Sequence, residues 1–511
     1  MLRRKILSAL YSIAALCGAG CATGSVEGKP REIAESREFD RAINSAMAAI
    51  EIIPGLAAAV WTPEGVYARG FGVTDIETGE RVSEETLFYT ASSTKSMTAL
   101  AMEILDQRAE INLDETLAAY APDAKFPAEI GADNIRLRDL LTHTSGIDNR
   151  ALVIRSAITG QHSPKIDWKL LSTATVKAKS PTGTFAYTNA GYNILTVMTD
   201  RKIGKEWQDI LQREIFDPAE MSGATARISG AVLAGRSIAR PHFGASPDGV
   251  TRLLLEKTDA TQQSAGGVYM SANDAVRWLE LMINDGEVGG VQAVPASVVA
   301  AVKRPIANVG SSFAGYTRDA YALGWYVGRY RDEPMIHSFG SFAGTRSHVS
   351  FLPGLKTGVA IFVNDGSVGA KYADVIANYI YDTLAKRQDA LALYDAGVAS
   401  LIKARDQMIM GLAEDRKIRA GRKWKMSAPL ASYAGRYDSP NFGEMVVEAT
   451  NDRLRIRFGA AASIAEPFRE EQDTVRVEFE PFSGEVIGFR VEPSGIVTGL
   501  NYSGERFIRT E

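Results

Sequence analysis

Leu87-Phe88-Tyr89-Thr90-Ala91-Ser92-Ser93-Thr94-Lys95-Ser96-Met97-Thr98-Ala99-Leu100 is the stretch on which the fold turns. The aromatic and β-branched residues before Ala91 predict a short strand. After Lys95, the apolar Met97, Leu100, Ala101, Ile104 and Leu105 recur at helical spacing. Ser92 therefore stands at a helix start, where a hydroxyl also serves as an ordinary cap. Lys95 lies three residues on, and i,i+3 neighbours share a helix face. An amine held beside that hydroxyl among apolar residues loses solvation, and its pKa falls towards that of a base. That is the chemistry of Ser-x-x-Lys. The pattern also arises by chance, as at Ser400-Leu401-Ile402-Lys403 in an ordinary amphipathic stretch.

Around this stretch lie 511 residues, 45% hydrophobic and 23% charged, with a formal net charge of -4 and a pI near 5.9. Nothing here is the basic footprint of a nucleic-acid binder. The five histidines fall in no metal-binding spacing, so neither a metal nor another cofactor is expected. Cys17 and Cys21 are the only cysteines, which excludes a cysteine nucleophile in the globular part. Met1-Leu2-Arg3-Arg4-Lys5 before the apolar run from Ile6 to Leu16 reads as an export signal over 1–24. Leu16-Cys17-Gly18-Ala19-Gly20-Cys21 resembles a bacterial lipoprotein signal with Cys21 acylated, although Gly18 replaces the usual leucine. The expectation is an exported protein of a Gram-negative bacterium, periplasmic or attached to the outer membrane through Cys21.

Polar residues over 25–36 form a tether. From 37 to 385 helical and strand patterns mix: a helix from Glu38 to Ile50, strands from Gly55 to Val60 and Gly65 to Val73, then the Ser92 helix. Landmarks follow in order. Asp139-Leu140-Leu141-Thr142-His143-Thr144-Ser145-Gly146 is a helix end broken by turn residues. In the turn-rich Ser180 to Tyr192, Tyr187 and Asn189 stand two apart, so an extended loop points both the same way. Gly266-Gly267 reads as backbone crowding beside a cleft, before a helix capped by Ser271 or Asn273. Tyr321-Ala322-Leu323-Gly324-Trp325-Tyr326-Val327 begins a strand; Ile336 to Gly344, Ser347 to Leu352 and Gly358 to Val363 complete an antiparallel meander. A charged helical linker is expected over 386–425. Short alternating strands over 426–511 predict a small antiparallel barrel.

This ordered set resembles the serine β-lactamase and penicillin-binding protein superfamily, in its class C-like branch of esterases, peptidases and β-lactamases. Ser92-Ser93-Thr94-Lys95 matches Ser-x-x-Lys, Tyr187-Thr188-Asn189 matches Tyr-x-Asn, and the other landmarks keep the family's order. The C-terminal part is similar to a lipocalin-like barrel, entered at Tyr433-Ala434-Gly435-Arg436-Tyr437. The resemblance implies an α/β (α+β) fold: an antiparallel sheet flanked by helices, an all-helical subdomain and the appended barrel. It implies that Ser92 forms an acyl-enzyme, that Lys95 and Tyr187 share the proton transfers, and that Asn189 orients Lys95 and the substrate. The backbone N–H groups of Ser92 and Ser341 would form the oxyanion hole.

The family's third motif, Lys-Thr-Gly or His-x-Gly, is where the chain departs. Alignment on Gly340-Ser341 and Gly344 puts Ser338-Phe339-Gly340 there, with His337 one residue early. One residue turns a side chain to the opposite face of a strand unless a bulge restores it. Either Ser338 takes the position without a cation, or a bulge delivers His337; the expectation here is His337. Lys356-Thr357-Gly358 comes too late, in the turn after Pro353-Gly354. A missing cation weakens recognition of a carboxylate by roughly 1.5–3 kcal/mol, which favours an esterase or peptidase over a β-lactamase. The partner is then a small-molecule or peptide substrate. The alternative is a non-catalytic penicillin-binding-like protein that holds cell-wall or small-molecule ligands. The barrel is expected to be a passive packing module.

Overall fold

The computed structural model describes residues 31–177, 182–450, 452–468, 471–479 and 483–511. The export signal, Cys21, residues 25–30 of the tether, and Ser180 and Pro181 lie outside the described residues.

Helix α1 (Ser36–Ile50) buries Phe39, Ile43, Ala46 and Ile50 along one stripe. Strand β1 (Gly55–Thr62) is buried at every position and pairs with β2 (Gly65–Gly72). Helix α2 (Thr94–Gln107) follows the Ser92 turn. Short helices then lead to α3 (Ala190–Ile203) and α4 (Ala272–Ile283). Ser271 caps α4, accepting from the Asp274 N–H while the Asp274 carboxylate accepts from the Ser271 N–H. Six strands complete the sheet: β3 (Ala307–Phe313), β4 (Tyr316–Tyr321), β5 (Tyr326–Tyr330), β6 (Glu333–Phe342), β7 (Thr345–Leu352) and β8 (Thr357–Val363). Their order is β3-β4-β5-β6-β7-β8-β1-β2, antiparallel throughout.

One face packs Ala57, Ala59, Ile336, Val349 and Phe362 against α2 and α4; we call it the front. The back face packs Leu56, Ala58, Met335, Val359 and Ile361 against α1 and α5 (Gly369–Leu384). This apolar filling on both sides explains why β1 reads as a continuous apolar run rather than an alternation.

The register of β6 corrects the His337 expectation. Pairing with β5 and with β7 runs without a shift, so no bulge re-aims the strand. Ile336 belongs to the front and Met335 to the back; alternation then sends Ser338 and Gly340 forward and His337 and Phe339 backward. His337 is fully buried and stacks on Tyr326 at 5.5 Å. The Leu323-Gly324-Trp325 segment is also not a strand start. It is a turn between β4 and β5 pressed onto α2: Gly324 has φ +81°, and a Cβ there would stand 2.6 Å from the Ser96 Cα.

Helix α6 (Ala390–Ala420) buries Tyr394, Val398 and Leu401 against the α1–α5 layer. Nine further strands follow: β9 (Gly435–Ser439), β10 (Gly443–Thr450), β11 (Arg453–Phe458), β12 (Ala461–Ile464), β13 (Glu466–Pro467), β14 (Thr474–Val477), β15 (Glu485–Val491), β16 (Val497–Tyr502) and β17 (Glu505–Arg509). The order β12-β11-β10-β9-β17-β16-β15-β14-β13 places the consecutive β12 and β13 at its two ends, so the sheet curls into a nearly closed barrel. Inward-facing Tyr437, Met445, Ile456, Phe458, Val475, Ile487 and Phe507 fill it. The barrel docks on the helical half through Arg155, which donates to the carbonyls of Asn441 (2.6 Å), Pro440 (2.9 Å) and Ser439 (3.3 Å).

Candidate active site

The strand at Phe88–Tyr89 runs into a tight turn, Ala91–Ser93, at the head of α2. Ala91 has φ +47°, a strained value for a residue with a Cβ. The surroundings hold it there. The Thr90 N–H and hydroxyl both donate to the Val268 carbonyl, and the Thr94 hydroxyl accepts from the Val268 N–H. Ser347 of β7 donates to the Thr90 carbonyl at 2.7 Å and bonds the Ser93 hydroxyl at 2.9 Å. Gly266 lies directly opposite: a Cβ on it would sit 3.3 Å from the Ala91 carbonyl carbon, which is the crowding expected of that pair of glycines. Ser92 caps nothing, since the α2 terminus has no side-chain cap. Its hydroxyl is left to the cleft.

Lys95 is 1% exposed. Its Nζ lies 3.2 Å from the Ser92 Oγ and donates to the Asn189 Oδ1 and the Ala265 carbonyl, each at 2.7 Å. No carboxylate pairs with it among the described residues, and burial pushes the amine well below the usual lysine range. A neutral amine fits these contacts. In that form two N–H groups would satisfy Asn189 and Ala265 and leave the lone pair for the Ser92 hydroxyl. Asn189 precedes α3 without capping it, because its side chain is spent on Lys95.

Tyr187 stands on the other side of Ser92. Its phenol is close enough to the Ser92 hydroxyl to be influenced by it, and its ring lies 4.8 Å from the Lys95 Nζ. Although 37% of its surface stays exposed, burial of the rest pushes the phenol above its ordinary value, against the smaller lowering by Ser92 and Arg318. Both shifts favour the uncharged forms, an amine at Lys95 and a protonated phenol at Tyr187.

His143 completes the cluster. It is buried at φ +59°, with rings of Tyr187, Tyr192 and Tyr321 around it at 4.4, 5.5 and 4.9 Å. Its Nδ1 accepts from the Thr188 N–H at 3.3 Å, which puts the proton on Nε2, bonded to the Tyr321 hydroxyl. Burial pushes its pKa well below the ordinary imidazole value. It therefore braces the Tyr187–Asn189 loop from behind.

Ser92, Lys95, Tyr187 and Asn189 thus converge, while His337 does not join them. Ser338 takes the front position on β6, beside Gly340, whose missing Cβ leaves room for the Thr90 carbonyl. Ser341 lies past the end of the β5 pairing, which stops at His337. Lys356 is exposed in the turn between β7 and β8, at the end of β7 remote from Ser347. A serine–histidine–aspartate chain lies behind the sheet: His348 contacts Asp374 at 2.9 Å and Ser350 at 2.7 Å. All three are buried, and Ser350 bonds Tyr381, which makes this a structural network.

A family model described as Beta-lactamase matches residues 39–379. The chain belongs to the beta-lactamase family. It is a serine hydrolase of the β-lactamase and penicillin-binding-protein type. Among curated relatives, unguisins hydrolase of Aspergillus violaceofuscus is 24% identical over 93% of this chain and 89% of its own length. Among solved structures, the octameric penicillin-binding protein homologue from Pyrococcus abyssi superposes with a TM-score of 0.58 at 18% identity, covering 93% of this chain and 99% of that one. D-amino acid amidase from Ochrobactrum anthropi gives 0.56 at 20% identity, over 69% of this chain and 100% of its own. At those identities the two structures speak for the fold alone.

Three contributors to the beta-lactamase site were not legible as such in the sequence. His143 stood in view only as part of a broken helix end. The Ala265 carbonyl and the Ser347 hydroxyl carry no motif of their own, since a carbonyl is present at every residue and Ser347 sits in an ordinary strand.

Proposed function

We propose that the protein hydrolyses ester or peptide amide bonds, D-residue peptides included, through an acyl-enzyme on Ser92. Neutral Lys95 takes the hydroxyl proton as the Ser92 Oγ bonds to the substrate carbonyl carbon. The backbone N–H groups of Ser92 and Ser341 hold the developing oxyanion. The tetrahedral adduct collapses as the bond to the leaving group breaks, and Tyr187 delivers the proton while Lys95 re-protonates it. Water then attacks the ester by the same route in reverse. The observation that carries this reading is the Lys95 amine, buried without a carboxylate and held by Asn189 and Ala265 with its remaining valence on Ser92.

The neutral Ser338 at the third-motif position supports a preference for esters and amides over β-lactams, and so does the name of the amidase neighbour. The motif order supports the class C-like branch. Export, with Cys21 as a lipid anchor to the outer membrane, belongs to the same proposal and is supported by the N-terminal residue pattern. Turnover of p-nitrophenyl butyrate, D-phenylalaninamide and benzylpenicillin tests the bond preference. The expected result is kcat/KM for benzylpenicillin at least tenfold below the better of the other two. Faster hydrolysis of the penicillin would overturn it.

A further inference from the structure

Resting on the reading of Lys95 as the base, we propose that Asn193 is a positioning residue of this site: through Gln263 and Ser264 it fixes the Ala265 carbonyl against the Lys95 amine. Asn193 lies in none of the motifs that mark the family. It follows Asn189 by four residues along α3, as Thr98 follows Lys95 by three along α2, so each shares a helix face with the site residue one turn before it. The Asn193 Nδ2 donates to the Gln263 Oε1 at 2.6 Å and to the Ser156 Oγ at 3.1 Å, and its Oδ1 accepts from the Ser264 Oγ at 3.3 Å. Both amide protons and the amide oxygen are thereby used. Ser156 accepts because its own proton goes to the Leu152 carbonyl at 2.7 Å. From the α2 side the Thr98 hydroxyl donates to the Ser264 carbonyl at 2.7 Å, and Thr196 bonds the Ser264 hydroxyl at 2.8 Å. All of these side chains are buried.

The segment so clamped is a tight turn, closed by the Gly266 N–H on the Gln263 carbonyl at 2.8 Å. Ala265 has only a methyl group, so the direction of its carbonyl is set by the two clamped residues before it and the Gly266 bond after it. Lys95 holds two acceptors besides Ser92, and that carbonyl is one of them. With the carbonyl displaced, Asn189 alone would aim the amine, and an error of about 1 Å in such a group costs on the order of a hundredfold in rate. Packing does not demand the network. Apolar residues such as Leu100 and Leu195 already seat α2 and α3 in the core, and an apolar filling of the same shape is close to neutral in stability. The polar set instead converges on the one turn that touches the base.

The test is the pH dependence of kcat/KM for p-nitrophenyl butyrate, with active sites counted by fluorophosphonate labelling so that misfolded protein drops out. The acid limb of that profile reports the base of the free enzyme. The titratable groups facing Lys95 are Tyr187 and Tyr192, with rings 4.8 and 5.6 Å from its Nζ, and His143 beside them. The side-chain partners of Asn193 given above are uncharged, so replacing it by an apolar residue adds and removes no charge. A carbonyl that accepts from the ammonium form favours that form, and its loss moves the limb to lower pH. Asn193→Leu and Thr98→Val should each shift the limb down by about half a pH unit or more. They should also lower kcat about tenfold or more, with KM within about threefold. Thr98→Ser, which restores the hydroxyl, should bring both quantities back towards the wild type. A limb that stays in place or moves up, in whichever of Asn193→Leu and Thr98→Val folds, overturns the proposal whatever the fall in kcat. Lys95→Met separates the two levels: if its residual activity keeps the wild-type limb, the lysine-base reading is what has failed.

Discussion

Replacing Lys95 with methionine should sharply slow turnover and also change how stability responds to pH. The amine is buried, has no ion-pair partner among the described residues, and releases its proton below the ordinary lysine range. In the unfolded chain the same lysine stays protonated up to about pH 10.4. Between the folded and the unfolded pKa, the unfolded state binds more protons, so stability of the wild type rises with pH through that window. The slope is at most about 1.4 kcal/mol per pH unit, and above the unfolded pKa the cost of neutralising the amine is gone. Lys95→Met has nothing to titrate there. Urea unfolding of both proteins, followed by tryptophan fluorescence at pH 7, 8, 9 and 10, should show the wild type gaining on the variant step by step. Activity should fall about 10²- to 10⁴-fold, the usual contribution of a positioned base. A stability difference that stays flat over this range would refute the neutral-lysine argument, because it would mean the amine is as protonated in the native protein as in the unfolded chain.

His337→Phe keeps the ring in its stack behind the sheet and should leave kcat/KM within about threefold, since an uncharged buried side chain away from the reacting atoms contributes little to the barrier; a hundredfold loss would return His337 to the site. Gly340→Ala forces a Cβ to within 2.0 Å of the Thr90 carbonyl. It should lower stability by about 3 kcal/mol by thermal unfolding and cut the acylation rate through displacement of the Ser92 turn. Arg155→Ala removes three donor contacts to the barrel turn at Ser439 to Asn441. It should expose the segment over 386–425 to limited proteolysis and lower stability by about 2–4 kcal/mol; unchanged digestion would show that the docking does not depend on it.

What could be read in advance follows from how each feature is encoded. Ser92 with Lys95, and Tyr187 with Asn189, are fixed by spacing along one helix turn or one extended loop, and local spacing is what a sequence displays. The barrel was visible for the same reason: its strands over Arg453–Phe458 and Val497–Tyr502 alternate cleanly, one face being packed and the other wet. The third motif was not readable. Alternation tells which residues share a face of β6, but the face that meets Ser92 depends on register against β5 and β7. The strand pair β3–β4 was hidden by glycines and polar residues from Asn308 to Arg318, which weaken the period-two pattern. Leu323-Gly324-Trp325 misled because its apolar residues read as strand, while the chain turns there to let Gly324 meet α2.

The most direct measurement is intact-mass spectrometry of the protein lacking its export signal, exposed to a neutral fluorophosphonate beside Ser92→Ala. One covalent adduct on the wild type, mapped to the peptide holding Ser92 and absent from the variant, is the result predicted here. A folded wild type that takes no label, or an adduct that persists in Ser92→Ala, would contradict Ser92 as the nucleophile.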